Sequence, residues 1–189
     1  MIEVWYLDES GFAPTLPNGY TWARSGVRPV VREEAPQGRR LNVLGALAAG
    51  GAAPGLAWSA PLGKLDSGVF AEFVGRQVAK LPVPLPADYR RDRPCVIVLD
   101  NYAVHRSKPV QALLPVWERA GVYCYYLPAY SPELNRIEEV WRHLKYEELP
   151  QRSYRTLPDL RAAVTEALAK HALPLPTPLH SPTDLPEAA

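Results

Sequence analysis

Three acidic residues stand where carboxylates can do chemistry. Asp8 follows an extended-favouring run at residues 2–7, and Asp100 follows the continuous apolar run CVIVL at 95–99. Glu138 falls in the first turn of a helical pattern that starts at Asn135. Two buried strands that end in aspartate bring both carboxylates to one edge of a sheet, and a helix packed there adds the third. Hard oxygen donors of this kind suit Mg2+ or Mn2+ rather than zinc. Two such ions a few ångströms apart activate the attacking oxygen and stabilise the leaving oxygen of a phosphodiester. In this reading Asp100 bridges the ions, Asp8 shares one with it, and Glu138 completes the other site.

Each acid also has an ordinary explanation. Asp8 can open the Asp-Glu-Ser-Gly turn. Asp100-Asn101 can be turn chemistry after a strand. Asn135-Arg136-Ile137-Glu138 fits an asparagine variant of the capping box, which would aim the Glu138 carboxylate at the cap N–H. Glu139, about 100° further round the helix, competes for the ligand role.

The elements that must position these residues are read from periodicity and breakers. Residues 2–7 form a strand ending at Asp8. Short strands are expected at 21–24 and 27–32 around Gly26, an apolar strand at 41–48, and a strand at 56–60 pairing back after a glycine- and proline-rich turn. Asp66 or Ser67 caps a helix to about Leu81, with Val69, Phe70, Phe73, Val74 and Val78 on one face. A proline- and charge-rich surface loop covers 82–94. The CVIVL run reads as a strand buried on both faces. A helix spans 107–120, with a kink or break at Pro115. A strand follows at 122–127, then helices from Asn135 to about Glu148 and from about Leu157 to His171. Strands first, then strand–helix alternation, predict an α/β domain: a mixed sheet with helices on both faces.

At 189 residues with nearly half apolar, the chain suits one domain with a real core. No apolar run spans a bilayer, and the acidic start MIEVWYLDE is no signal peptide. Cys95 and Cys124 are too few for a disulfide framework and read as buried, reduced thiols. The formal net charge of +1 is low for a dedicated nucleic-acid binder, although arginine-rich patches remain available. The domain is expected over 1–172, with a proline-rich disordered tail at 173–189. The expected location is cytoplasmic, at the nucleoid.

The segments LDESGF (7–12), LDNYAVH (99–105) and LPAYSPELNRIEEVWRHLK (127–145) resemble the three signature blocks of DDE transposases, in the bacterial insertion-sequence branch of the mariner superfamily. The segment TWARSGVRPVV (21–31) resembles that family's second-strand region. The resemblance implies a ribonuclease H-like fold with a five-stranded mixed sheet. It places Asp8, Asp100 and Glu138 on the catalytic, metal-binding acids, with two divalent ions, Mg2+ or Mn2+, as cofactors. Asn101 and His105 fall on polar residues that accompany the second aspartate, and His105 is expected either to orient a phosphate or a carboxylate or to be a histidine of a surface loop. Trp141 falls on a family tryptophan expected to pack, and Lys145 on a lysine expected to contact phosphate. The implied function is metal-dependent DNA cleavage at transposon ends and transfer of the 3′-hydroxyl end to target DNA, with insertion at a TA dinucleotide.

Two departures bear on this. Arg136 stands where the family often has proline, which pre-sets a helix start. Met1 falls almost on the first catalytic strand, so the family's N-terminal helix-turn-helix module is expected to be absent from this chain, encoded separately or lost. The implied partners are transposon-end and target DNA, the helix-turn-helix portion and a second copy of the chain, with no membrane. The alternatives are an inactive remnant that only binds DNA or dimerises, and another ribonuclease H-like nuclease. Replacing Asp100 with alanine is expected to abolish nicking and to relieve repulsion between carboxylates.

Overall fold

The structure is a computed structural model and describes residues 2–14, 23–28, 30, 40–49, 55–149 and 154–171. Its centre is a five-stranded sheet of order β3-β2-β1-β4-β5. Strand β1 (Glu3–Phe12) pairs antiparallel with β2 (Leu41–Ala48), which pairs antiparallel with β3 (Leu56–Ser59). On its other side β1 runs parallel to β4 (Cys95–Leu99), and β4 parallel to β5 (Val122–Tyr126). The mixed sheet expected from the sequence is therefore present.

Strand β1 does not stop at Asp8, as the turn-like Asp-Glu-Ser-Gly suggested; it runs to Phe12. Antiparallel pairing with β2 carries it on, with Asp8 opposite Gly45 and Phe12 opposite Leu41. The parallel ladder with β4, by contrast, covers only Glu3 to Tyr6, with Tyr6 opposite Val98. Extending that register by two residues sets Asp8 level with Asp100, just where the ladder opens.

Period-two alternation then divides β1 between two cores. Trp5 and Leu7 join Leu44, Ala46, Ile97 and Leu99 under helix α1 (Ser67–Glu72), its π-helical continuation Phe73–Val78, and helix α2 (Lys108–Arg119). Phe12 packs on the opposite face with Leu41 and Val43, under α3 (Ile137–His143), its π-helical continuation Leu144–Glu148, and α4 (Leu157–His171). Helices thus cover both faces. Burying each such large apolar side chain contributes about 1.5–3 kcal/mol.

Asp66 caps α1, accepting from the N–H groups of Gly68 and Val69 at 2.9 and 3.0 Å. Of the kink or break expected at Pro115, the break does not occur: helix α2 runs on through it; proline removes one internal bond, and the packing of Val110 and Trp117 on the sheet holds the rest. Gly121, at φ +85°, makes the left-handed turn from α2 into β5. Residues 82–94 form the expected loop, tied to the start of the central strand β1 where Arg91 meets Glu3 at 2.6 Å.

Residues 23–28 correct a second expectation. They form a turn at Gly26, with Val27 N–H donating to Arg24 C=O, and carry no strand. The rest of those two expected strands, and the proline-rich tail, lie outside the described residues. Cys95 and Cys124 are free thiols that burial pushes up to about 12, as expected of inert cysteines. Among the described residues no helix is long and apolar enough to cross a membrane.

Candidate active site

Asp8, Asp100 and Glu138 line one open cleft of about 420 Å³ at the end of the β1–β4 ladder. Asp8 reaches it from mid-strand, on the sheet face that α3 covers. Asp100 is the first residue past β4, and Glu138 lies in the first turn of α3. Both glutamates are exposed, but Glu138 lines the cleft and Glu139 does not, which separates them.

The capping-box alternative for Glu138 is not what forms. The Asn135 side chain caps nothing in α3; its amide Nδ2 donates to the Leu7 carbonyl at 3.0 Å, a buried bond that fixes the helix start against β1. The turn is closed by backbone bonds instead, Glu138 N–H to the Asn135 carbonyl at 3.0 Å and Glu139 N–H to the Arg136 carbonyl at 3.3 Å. The Glu138 carboxylate is thus left to the cleft.

Asp8 and Asp100 sit in opposite electrostatic conditions. Burial, then the charges of Glu138, Glu9 and Asp100, push the Asp8 carboxyl from 3.8 up to about 7. Trp141 Nε1 donates to Asp8 Oδ2 at 3.1 Å. That contact depends on Gly45, directly across from Asp8. A Cβ there would collide with the Trp141 ring, standing 2.6 Å from its Cζ2 and closer still to Cη2, and would lie 2.9 Å from Ile137 Cδ1. The glycine is the space in which the indole lies. Trp141 packs, as expected, and also holds an acid.

Asp100 is lowered from its ordinary value, chiefly by its hydrogen bond to His105. His105 Nδ1 meets Asp100 Oδ1 at 3.0 Å, and Tyr102 N–H donates to the same oxygen at 2.9 Å. Asp100 is thus the satisfied acid and Asp8 the strained one, and the charge of Asp100 is the smallest of those that raise Asp8, so replacing Asp100 relieves only part of the repulsion there. His105 is no surface histidine. Its side chain is 0% exposed, packed against Phe70, and its Nε2 meets Glu9 Oε1 at 2.8 Å. Burial opposes a charge on the ring, but the hydrogen bonds to Asp100 and Glu9 outweigh it and hold the imidazole at about 9.

Glu9 was missed in the sequence. Alternation offered the signal: a carboxylate on the face shared by Trp5 and Leu7 needs a buried partner. Asn101 lines the cleft, but both ends of its amide are engaged. Nδ2 donates to Leu127 C=O at 2.7 Å and Oδ1 accepts from Arg106 Nε at 2.9 Å, tying the loop after β4 to the end of β5. Lys145 is half-buried, its Nζ 5.3 Å from the Phe12 ring centroid. Burial lowers its pKa, while the charges of Glu138 and Asp8 oppose that, so the ammonium stands beside the acid cluster.

A three-layered helix–sheet–helix domain with carboxylates gathered where adjacent parallel strands end is a ribonuclease H-like fold. Residues 3–161 match the DDE superfamily endonuclease family, and the chain belongs to it. A 60-residue stretch is 37% identical to the insertion element IS630 uncharacterized 39 kDa protein of Shigella sonnei, covering 32% of this chain and 17% of that one. In fold, the chain is similar to the Mos1 transposase paired-end complex with left transposon end, at TM-score 0.57 and 12% identity, over 88% of this chain and 47% of that one. It is likewise similar to the Mos1 mariner paired-end complex with Mn, at TM-score 0.56 and 13% identity, over 89% and 48%. The chain spans about half the length of these transposase chains.

Proposed function

We propose that this chain is a transposase catalytic domain that cuts DNA at transposon ends and transfers the freed 3′-hydroxyl to target DNA, with Asp8, Asp100 and Glu138 as its acids. The observation that carries this reading is the convergence of three carboxylates, remote in sequence, on one open cleft, with Asp8 held at about 7. An acid raised by burial and by its like-charged neighbours is one whose ionised form a cation would stabilise. The donors are all carboxylate oxygens, which fits Mg2+ or Mn2+. Family membership and a fold shared with Mos1 transposase in a Mn complex support the same reading.

Asp8, Asp100 and Glu138 would hold the ions, two in number by the sequence reading. Bound there, the metal supplies a Lewis acid for the phosphodiester and lowers the pKa of the attacking hydroxyl. The chain's own residues set the stage. His105, itself gripped by Glu9, fixes Asp100 by one oxygen. Trp141 fixes Asp8 by Oδ2. Lys145 places a cation beside the cluster, suited to a DNA phosphate. In the first reaction water attacks phosphorus and releases a 3′-hydroxyl; in the second that hydroxyl attacks a target-strand phosphorus and displaces the target strand's own 3′-oxygen, which leaves as a hydroxyl, so no covalent enzyme intermediate is needed.

The test is strand nicking of element-end duplex by the full chain with Mg2+ or Mn2+. Asp100→Asn is expected to cut the rate at least 100-fold while the circular dichroism spectrum stays native. Equal rates for variant and parent, or undiminished cleavage in excess chelator, would sink the assignment. Preference for an RNA–DNA hybrid over duplex DNA would point instead to another ribonuclease H-like nuclease.

A further inference from the structure

Outside the acid cleft, three side chains from separate turns converge: His143 at the end of α3, Glu148 at the end of its π-helical continuation, and His171 at the end of α4. None of them lines the cleft. One ligand atom from each lies within 4.8 Å of the other two. We propose that His143, Glu148 and His171 form a second metal site, for a borderline transition ion of the zinc class, that clasps the end of α4 to the turn following α3.

The separations fit such an ion. His143 Nε2 and His171 Nε2 lie 3.3 and 3.6 Å from Glu148 Oε1. Ligands about 2.1 Å from a tetrahedral zinc stand roughly 3.4 Å from one another. The imidazole rings meet edge to face, their centroids 5.0 Å apart. His143 Nδ1 faces Glu147 Oε2 at 2.8 Å. A neutral ring donating there turns its Nε2 lone pair towards Glu148, an arrangement that a cation between them satisfies. That outer carboxylate is the partner that metal-bound histidines commonly have, fixing tautomer and ring orientation.

His171 supplies an independent sign. Its Nε2 is shielded from solvent yet has no hydrogen-bond partner among the described residues, because 3.6 Å to Glu148 is too long. A buried polar atom without a partner is costly, and ligation would satisfy it. Two imidazoles and one carboxylate favour zinc-class ions over magnesium, so the two sites differ in the metal they select. The side chains are partly exposed, at 39% for His143 and 28% for each of the others, so an ion can enter.

The experiment is titration of chelator-stripped full chain with Zn2+ in excess Mg2+, followed by calorimetry, and with Co2+, followed by visible absorption. Asp100→Asn serves as background so that the acid cleft does not compete. One equivalent of Zn2+ and an intense tetrahedral Co2+ band are expected in that background. Adding His171→Ala or His143→Gln should weaken Zn2+ binding at least tenfold and remove the band. His171 is the last residue of α4, so its alanine variant should keep the native circular dichroism spectrum even if the other does not fold. Unchanged affinity in the His171→Ala background, or no stoichiometric Zn2+ binding at all, overturns the proposal.

Discussion

Asp8 carries more of this molecule's tension than any other acid of the cleft. An aspartate in the unfolded chain ionises near 3.8, whereas the folded carboxyl keeps its proton to about 7. The folded state therefore binds more protons between these values, and stability falls as pH rises through them, by an amount on the order of a few kcal/mol. Asp8→Asn should flatten that slope. Mn2+ should raise the melting temperature of the parent above pH 7 and do little for the variant. Urea unfolding at pH 4.5 and 7.5, with and without Mn2+, measures both; a parent whose stability rises steadily over this range would contradict the assignment. Glu9 acts one step further out, through His105. Glu9→Gln should lower metal affinity or nicking rate by about 10–100-fold, as loss of outer-shell partners does. Mn2+ titration alongside the nicking rate checks this, and an unchanged affinity and rate would reduce Glu9 to a packing role.

At the scale of elements, the contact of β1, β2 and α3 decides the site. Gly45 on β2 leaves the space into which Trp141 of α3 fits, and Trp141 reaches Asp8 on β1. Gly45→Val should displace the indole and destabilise the fold by about 1–3 kcal/mol through overpacking. It should also break the bond to Asp8, shifting tryptophan fluorescence and cutting nicking together. A variant with parental stability and fluorescence would show that the indole does not depend on that gap. Asn135 plays the matching part at the helix start, where its amide is given to Leu7 rather than to the cap.

Across the whole molecule, the two cores sandwich the sheet, and the cleft opens where only part of β1 is covered by β4. With a formal net charge of +1, the chain has little general attraction for DNA. Binding in a gel shift should be weak and no tighter for element ends than for random duplex of the same length. It should fall off gently with salt, because few phosphates are neutralised. Tight, end-specific binding would show that recognition resides within this domain.

The local pattern of apolar residues determined most of the elements. Strands β2 and β4 fall where apolar runs placed them, and helix α4 spans the residues expected, because those local signals need no distant partner. The blocks around Asp8, Asp100 and Glu138 likewise singled out the acids. Tertiary structure alone decided how they are held. Whether β1 ends at Asp8 depends on β2 pairing beyond β4, and which way Asn135 turns depends on the Leu7 carbonyl nearby. That Glu9 grips a buried histidine depends on the loop after β4 folding onto the other face of β1. Side-chain direction along a strand can be read locally, but what lies across from it is set by chain segments many residues away.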